Sequence, residues 1–168
     1  MIRSVIFSTI LLVGCSFAQS TWFGGIAVFG VVPDIGLIVL IWVSYRNGLV
    51  EGPASGFLSG LAEDFLSASP FGFHAFIKTA VATSAALLHG IFYIDKLLLP
   101  IALGVAGTLA KAIAAGALHL LFGASVHVYS LVDRTLWIEA AYNGLLSPLV
   151  FLLLGPMSRF LVSERKQR

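Results

Sequence analysis

Long runs of apolar residues separated by short polar links are the feature that most constrains this chain. Six runs are predicted to form transmembrane helices, at residues 4–20, 33–45, 49–66, 73–94, 97–122 and 135–154. Because one crossing of the hydrocarbon core takes about 20 apolar residues, six crossings would use roughly 120 residues. The chain has 168 residues, so the pattern predicts an all-α, polytopic integral membrane protein with one transmembrane domain over residues 1–168 and little mass outside the bilayer.

The scarcity of charge excludes several classes of protein. Charged residues make up 11% of the chain, against about 25% in soluble domains, so a soluble enzyme and a receptor with an ectodomain are excluded. The formal net charge of +2 is too small and too scattered to favour nucleic-acid binding. A single cysteine, Cys15, leaves no internal disulfide and no multi-cysteine metal site.

The first residues also resemble a processing signal. Arg3 precedes an apolar run that ends in Leu-Val-Gly-Cys15, as in a lipoprotein signal, and residues 18–20 resemble a signal-peptidase site. We expect a first transmembrane helix here, because five further apolar runs follow. The apolar, glycine-rich link at residues 21–32 leaves open whether it re-enters the membrane.

The basic residues predict the orientation. With six crossings and the N-terminus in the cytoplasm, one basic residue, Arg134, falls on the outer side. Cytoplasmic loops carry an excess of Lys and Arg, so this arrangement, with both termini cytoplasmic, is the predicted one. The residues on the predicted cytoplasmic side are Arg3, Arg46, Lys96, Arg159, Arg165, Lys166 and Arg168.

Glycines recur every four residues along the third run, at Gly48, Gly52, Gly56 and Gly60. Such a ladder winds slowly around a helix and lets another backbone approach closely. Two interpretations follow: the ladder packs against helices of this chain, or it is a docking face for a partner's helix.

Four of the charged residues within the predicted spans are predicted to form two pairs. Asp64 and Lys78 fall near the same depth on consecutive helices, so they could pair and lower each other's cost of leaving water. Lys111 could extend toward Glu139, which shares a helix face with Asn143, four residues further on. We interpret both as structural pairs; a proton- or substrate-handling site would need a cavity as well.

The motifs of catalysis are missing from the sequence. The four histidines show no spacing typical of a metal pair, and no G-x-S-x-G is present for a nucleophilic serine. The glycines follow no predicted strand, so they do not form a phosphate-binding loop. We therefore predict a protein that is not an enzyme and has neither metal nor cofactor.

Three blocks of this sequence carry a likeness to a known family. They are Val32-Pro33-Asp34 at the start of the second run, Gly52-x3-Gly56-Phe57-x2-Gly60-Leu61-x2-Asp64 with Pro70-Phe71-Gly72, and Asn143-Gly144-Leu145-Leu146-x-Pro148. In this order they resemble the MreD family of rod-shape-determining membrane proteins. The likeness covers about residues 30–160, and its middle block is the most specific. The family-motif positions are Pro33, Asp34, Gly56, Gly60, Asp64, Gly72, Asn143 and Pro148.

The resemblance implies a function in cell-wall growth. It implies a non-enzymatic scaffold in the bacterial cytoplasmic (inner) membrane, within the elongasome or Rod complex that directs lateral peptidoglycan synthesis. The implied partners are MreC, RodA with its transpeptidase, indirectly the MreB filament, and membrane lipid, without nucleic acid. It also implies a fold similar to the substrate-binding subunits of energy-coupling-factor transporters. The alternative is a small-molecule-binding transporter subunit, with a pocket lined by Asp64, Lys78, Lys111, Glu139 and Asn143.

Overall fold

Helices make up most of the chain that the computed structural model describes, which is residues 2–22, 30–89, 97–123 and 133–163. These ranges contain no β-strand, so the all-α prediction is confirmed for them. The helices are α1 (Ile2–Trp22), α2 (Ile35–Asn47), α3 (Glu51–Asp64), α4 (Phe73–Leu87), α5 (Leu98–Phe122), α6 (Arg134–Leu154) and a short α7 (Ser158–Leu161).

Each of the six predicted runs contains one helix, but the helices differ in length. Within the described ranges, three helical stretches are long and apolar enough to cross a membrane: Ile2–Gln19, Leu98–Phe122 and Arg134–Leu161. Helix α2 is a shorter apolar helix of 13 residues, or about 20 Å at 1.5 Å per residue. The protein is thus a membrane protein by its apolar helices, and six crossings remain a prediction.

The fourth helix ends earlier than the apolar run does. The run was predicted to be helical through residue 94, whereas α4 ends at Leu87. The N–H of Leu88 donates to Ala85 O, and that of His89 donates to Ala86 O. Each bond reaches back three residues instead of four, so the α-helical ladder stops here.

Some predictions fall outside the described residues. They concern residues 23–29 of the 21–32 link, the end of the fourth run at 90–94, and His127. Four of the basic residues that predict the orientation also fall there: Lys96, Arg165, Lys166 and Arg168. The orientation of the chain therefore remains a prediction.

Helix α2 lies at the centre of the bundle. It contacts α1, α3, α4, α5 and α6, and every residue from Gly36 to Ser44 is buried. A helix surrounded by other helices is apolar all round instead of having one apolar face, which is why this run shows no clear period. At its end, the Asn47 amide donates to Leu161 O at 2.8 Å and accepts from Ser163 N at 2.9 Å, which holds α7 against α2.

Two antiparallel helix pairs pack around α2. Helices α3 and α4 form one pair, and α5 and α6 form the other. The outward faces of the long helices are rich in exposed apolar side chains, such as Ile10 on α1, Leu120 on α5 and Leu152 on α6. Exposed apolar surface on this scale is typical of contact with lipid.

Candidate functional site

Asp64 joins the end of α3 to the start of α4. This buried residue is the last of α3, and its Oδ1 accepts the N–H of His74 at 2.8 Å while Oδ2 accepts those of Gly72 and Ala75 at 3.0 and 3.2 Å. The His74 ring nitrogen Nδ1 lies 3.0 Å from Oδ1. A carboxylate at a helix N-terminus satisfies N–H groups that have no partner within the helix. Asp64 is thus the cap of α4.

The turn before α4 depends on the glycine of the Pro-Phe-Gly block. Gly72 has φ +92°, in the left-handed region that side-chain-bearing residues rarely adopt. This conformation lets the chain reverse so that the N–H groups of residues 72, 74 and 75 converge on Asp64. Asp64 and Pro70-Phe71-Gly72 of the middle family block therefore encode one structural unit, the α3–α4 turn.

The glycine ladder packs inside the chain. A Cβ at Gly60 would lie 2.5 Å from His74 O, and one at Gly56 would lie 2.8 Å from Lys78 O, both in the α4 backbone. Gly52 faces α2 in the same way, where a Cβ would lie 2.6 Å from the Cα of Ser44.

Gly48 has a different role from the other three glycines. It caps the C-terminus of α2 at φ +76° and lies outside α3. Its assignment to the helical ladder is therefore corrected, because α3 begins only at Glu51.

The proposed pairing of Lys78 with Asp64 is also corrected. Lys78 Nζ lies 2.9 Å from Glu63 Oε2 and donates to Ser16 Oγ at 3.2 Å. The oxygens of Asp64 are engaged by the start of α4, and adjacent helical residues point about 100° apart. Glu63 therefore faces Lys78. Since Glu63 and Asp64 are adjacent in the sequence, their depth along the helix could not show which of the two pairs with Lys78.

Lys111 bridges two carboxylates. Its Nζ lies 2.8 Å from Glu139 Oε1, as the sequence suggested, and 2.7 Å from Asp34 Oδ2. Asp34 also caps α2 by accepting the N–H of Leu37 at 2.9 Å. In the sequence analysis, Asp34 is a family-motif position. Its place directly before an apolar helix was the available signal that it caps that helix, because Asp is a preferred N-cap residue.

Asn143 adjoins the cluster formed by Asp34, Lys111 and Glu139. Its side chain is fully buried; Oδ1 accepts the N–H of Asp34 at 2.8 Å, and Nδ2 donates to Thr108 Oγ1 at 3.0 Å. One amide thus ties α2, α5 and α6 together. A Cβ at Gly104 would meet Asn143 O at 2.9 Å, a close contact that sequence reasoning missed.

Gln19 connects α1 to the start of α2. Its Nε2 donates to Pro33 O at 3.0 Å, and its Oε1 accepts the N–H of Gly36 at 3.1 Å. The sequence places Gln19 only within a possible signal-peptidase site. In the structure it is a helical residue of α1 with long-range hydrogen bonds.

A cavity of about 330 Å³ lies between α1, α3 and the start of α4. Its lining includes none of the five residues suggested for a transporter-like pocket. The lining residues are Val13, Ser16, Phe17, Ser59, Glu63, Leu66, Ser67 and His74.

The described residues offer neither a metal site nor a catalytic triad. They contain no group of three His, Cys, Asp or Glu side chains placed to hold a metal ion. Ser67, His74 and Asp64 are in contact, but Ser67 Oγ and Asp64 Oδ1 both lie against Nδ1 of the same ring, at 3.4 and 3.0 Å. A triad needs the serine and the carboxylate on opposite ring nitrogens.

The contacts of Gly60 predict a large difference between two glycine substitutions. We expect Gly60→Leu to lower the free energy of unfolding by about 1–3 kcal/mol, because the side chain would collide with the α4 backbone. The matched control is Gly116→Leu, since a Cβ at Gly116 meets no atom within 4 Å. It should stay within about 0.5 kcal/mol of the wild type. Unfolding in detergent measures both; equal stabilities would contradict this packing.

Comparison with known proteins gives one match. The family model described as rod shape-determining protein MreD matches residues 1–156. No match is found among curated proteins or among solved structures.

Proposed function

The chain belongs to the MreD family, and from this premise we propose that it is a non-enzymatic scaffold of the elongasome that binds MreC. The family gives the chain a role in determining rod shape. In the proposal, it lies in the bacterial cytoplasmic membrane with both termini in the cytoplasm and supports lateral peptidoglycan synthesis. RodA with its transpeptidase, and indirectly MreB, would belong to the same assembly.

The observation that carries the proposal is how the charged side chains within the helices are used. Lys78 pairs with Glu63, Lys111 pairs with Asp34 and Glu139, and Asp64 caps α4. Charges inside a membrane are expensive and commonly serve ion or substrate pathways. Here they hold helices to one another, which supports a protein that acts through its shape and its contacts.

We place the contact with MreC on the outward face of α1. The face of Gly52, Gly56 and Gly60 is occupied by α2 and α4, so a partner helix must dock elsewhere. Of the three long apolar helices, α1 is the least covered: 17% of its apolar window is buried, against 44% for α5 and 22% for α6. A Cβ at Gly14 would meet no atom within 4 Å, and an open glycine lets another helix approach closely.

Co-purification tests this proposal. When the tagged chain and MreC are produced together and extracted in detergent, we expect MreC to remain bound. Gly14→Leu should reduce its recovery about tenfold, because a bulky side chain keeps the helices apart. Gly116→Leu is the matched control, since it adds the same side chain to an open position on α5 and should leave recovery unchanged.

The outcomes of this experiment distinguish the binding of MreC from the location of its contact on α1. If MreC does not co-purify with a monodisperse wild-type chain, the scaffold function is contradicted. If MreC is retained equally by both variants, the α1 contact is contradicted, while binding itself stands. Restoration of rod shape in cells depleted of the protein provides the parallel measurement in vivo.

A further inference from the structure

The cavity between α1, α3 and α4 has a polar wall and an apolar wall. The polar wall includes the Glu63 carboxylate, the Ser67 hydroxyl and the His74 ring, while Val13 and Phe17 on α1 supply apolar surface. Pockets of this size, apolar with a few convergent polar groups, are typical of ligand sites.

The depth of the two walls differs. Glu63 lies in the last turn of α3 and His74 in the first turn of α4, so the polar wall is at the level where these helices end. Lys78 Nζ joins Glu63 to Ser16 of α1, so Ser16 marks the level of the polar wall on α1. Val13 lies three residues before Ser16, about 5 Å further in along the helix axis, and Ser59, a lining residue one turn before Glu63, already donates its hydroxyl to Gly56 O. The cavity is therefore polar where α3 and α4 end, and it has apolar surface one turn further in at Val13, as a lipid molecule has.

Opposite charges stand side by side at the polar wall. Lys78 Nζ contacts two lining residues, Glu63 at 2.9 Å and Ser16 at 3.2 Å. Glu63 lines the cavity itself, whereas Lys78 stands behind the two lining residues that it contacts, with its side chain 12% exposed. Since Asp64 holds Nδ1 of His74, Nε2 is the ring nitrogen that remains for a ligand.

We propose that this cavity binds the headgroup of a phospholipid that carries both a primary ammonium and a phosphate. The ammonium donates to the Glu63 carboxylate and to Nε2 of His74, and the phosphate accepts from the Lys78 ammonium. One acyl chain passes Phe17 and then Val13 into the bilayer. This site is on the α3 and α4 side of α1 and does not depend on whether the chain binds MreC.

Native mass spectrometry of the purified full chain in detergent tests the lipid assignment. Phosphatidylethanolamine should bind about tenfold more tightly than phosphatidylglycerol, which lacks the ammonium, or phosphatidylcholine, whose ammonium has no N–H to donate. All three lipids carry the same acyl chains. Equal binding of the three overturns the proposal. If O-phosphoethanolamine alone binds as tightly as the lipid, the acyl-chain contact is wrong and the ligand is a soluble phosphate ester.

Two variants test the location. The double change Glu63→Gln with Lys78→Gln removes both charges together, so no unpaired charge remains to unfold the chain. Val13→Trp instead fills the apolar wall and leaves the charges in place. Each should weaken phosphatidylethanolamine binding about tenfold, while Ser84→Ala, at an exposed position on α4, should not change it.

The melting temperature in detergent checks that each variant is folded. If both folded variants bind phosphatidylethanolamine as the wild type does, the cavity is not the lipid site. If they release MreC and keep the lipid, the cavity is a protein contact, and the proposal is likewise overturned.

Discussion

Replacing Lys111 by methionine is expected to lower the free energy of unfolding by about 3–5 kcal/mol. Methionine keeps much of the length of the side chain but leaves Asp34 and Glu139 facing each other without a cation. Glu139 is buried, with its side chain 4% exposed, so water cannot replace the lost partner. The measurement is unfolding of the purified chain in mixed micelles, followed by circular dichroism.

Neutralising Asp34, Lys111 and Glu139 together should restore most of the stability that Lys111→Met loses. The triple variant Asp34→Asn, Lys111→Met, Glu139→Gln removes all three charges together. Asparagine can still cap α2, because its amide oxygen can accept the N–H of Leu37 as Asp34 does. Replacing a complete buried ion pair is often close to neutral, whereas removing one partner is costly. A triple variant as unstable as Lys111→Met would show that the charges are not the cause.

The helices were predictable from the sequence because apolar content along the chain is a local property. Each of the six apolar runs contains a helix of the structure. The end of α4 was not predictable, since apolar residues continue after Leu87 at Leu88, Ile91 and Phe92. Hydrophobicity favours burial or lipid contact but does not distinguish a helix from a turn.

The ion pairs were only partly predictable, because a one-dimensional spacing does not fix the rotation of each helix. The contact between Lys111 and Glu139 was predicted from the depth of the two residues along their helices, and it is present in the structure. The third member, Asp34, comes from a helix 77 positions away in the chain, and nothing local connects the two. Likewise, Glu63 and Asp64 are neighbours in sequence yet contact different groups.

Close glycine contacts were found where they were periodic and missed where they were not. Gly56 and Gly60 were singled out by their four-residue spacing, and both touch the α4 backbone. A Cβ at Gly104 would meet the backbone oxygen of Asn143 at 2.9 Å, and one at Gly144 would meet the Val105 side chain at 2.9 Å, but each glycine stands in an apolar run without a ladder. The need for a small residue there comes from the partner helix, which only the fold reveals.

Replacing Asp64 by alanine is expected to cost about 3 kcal/mol of folding free energy. Three backbone N–H groups at the start of α4 would lose their acceptor, and loss of a helix cap alone costs about 0.5–2 kcal/mol. Hydrogen bonds to a charged group contribute more, about 1.5–3 kcal/mol. The stability of Asp64→Asn should lie between those of Asp64→Ala and the wild type. Asparagine keeps one acceptor oxygen, but its NH₂ group would face the N–H groups that now donate to the second carboxylate oxygen.

The chain offers a matched control for this change. Asp133 also caps a helix, but it is exposed, and from the described residues its side chain accepts one N–H, that of Thr135 at 3.1 Å. Asp133→Ala should therefore cost about 1 kcal/mol or less. The same ranking is expected for the amount of folded protein in the membrane and for rescue of rod shape in depleted cells. If the two alanine variants are equally stable, the four contacts of Asp64 do not hold α3 to α4, and the Pro-Phe-Gly turn must be formed by its backbone alone.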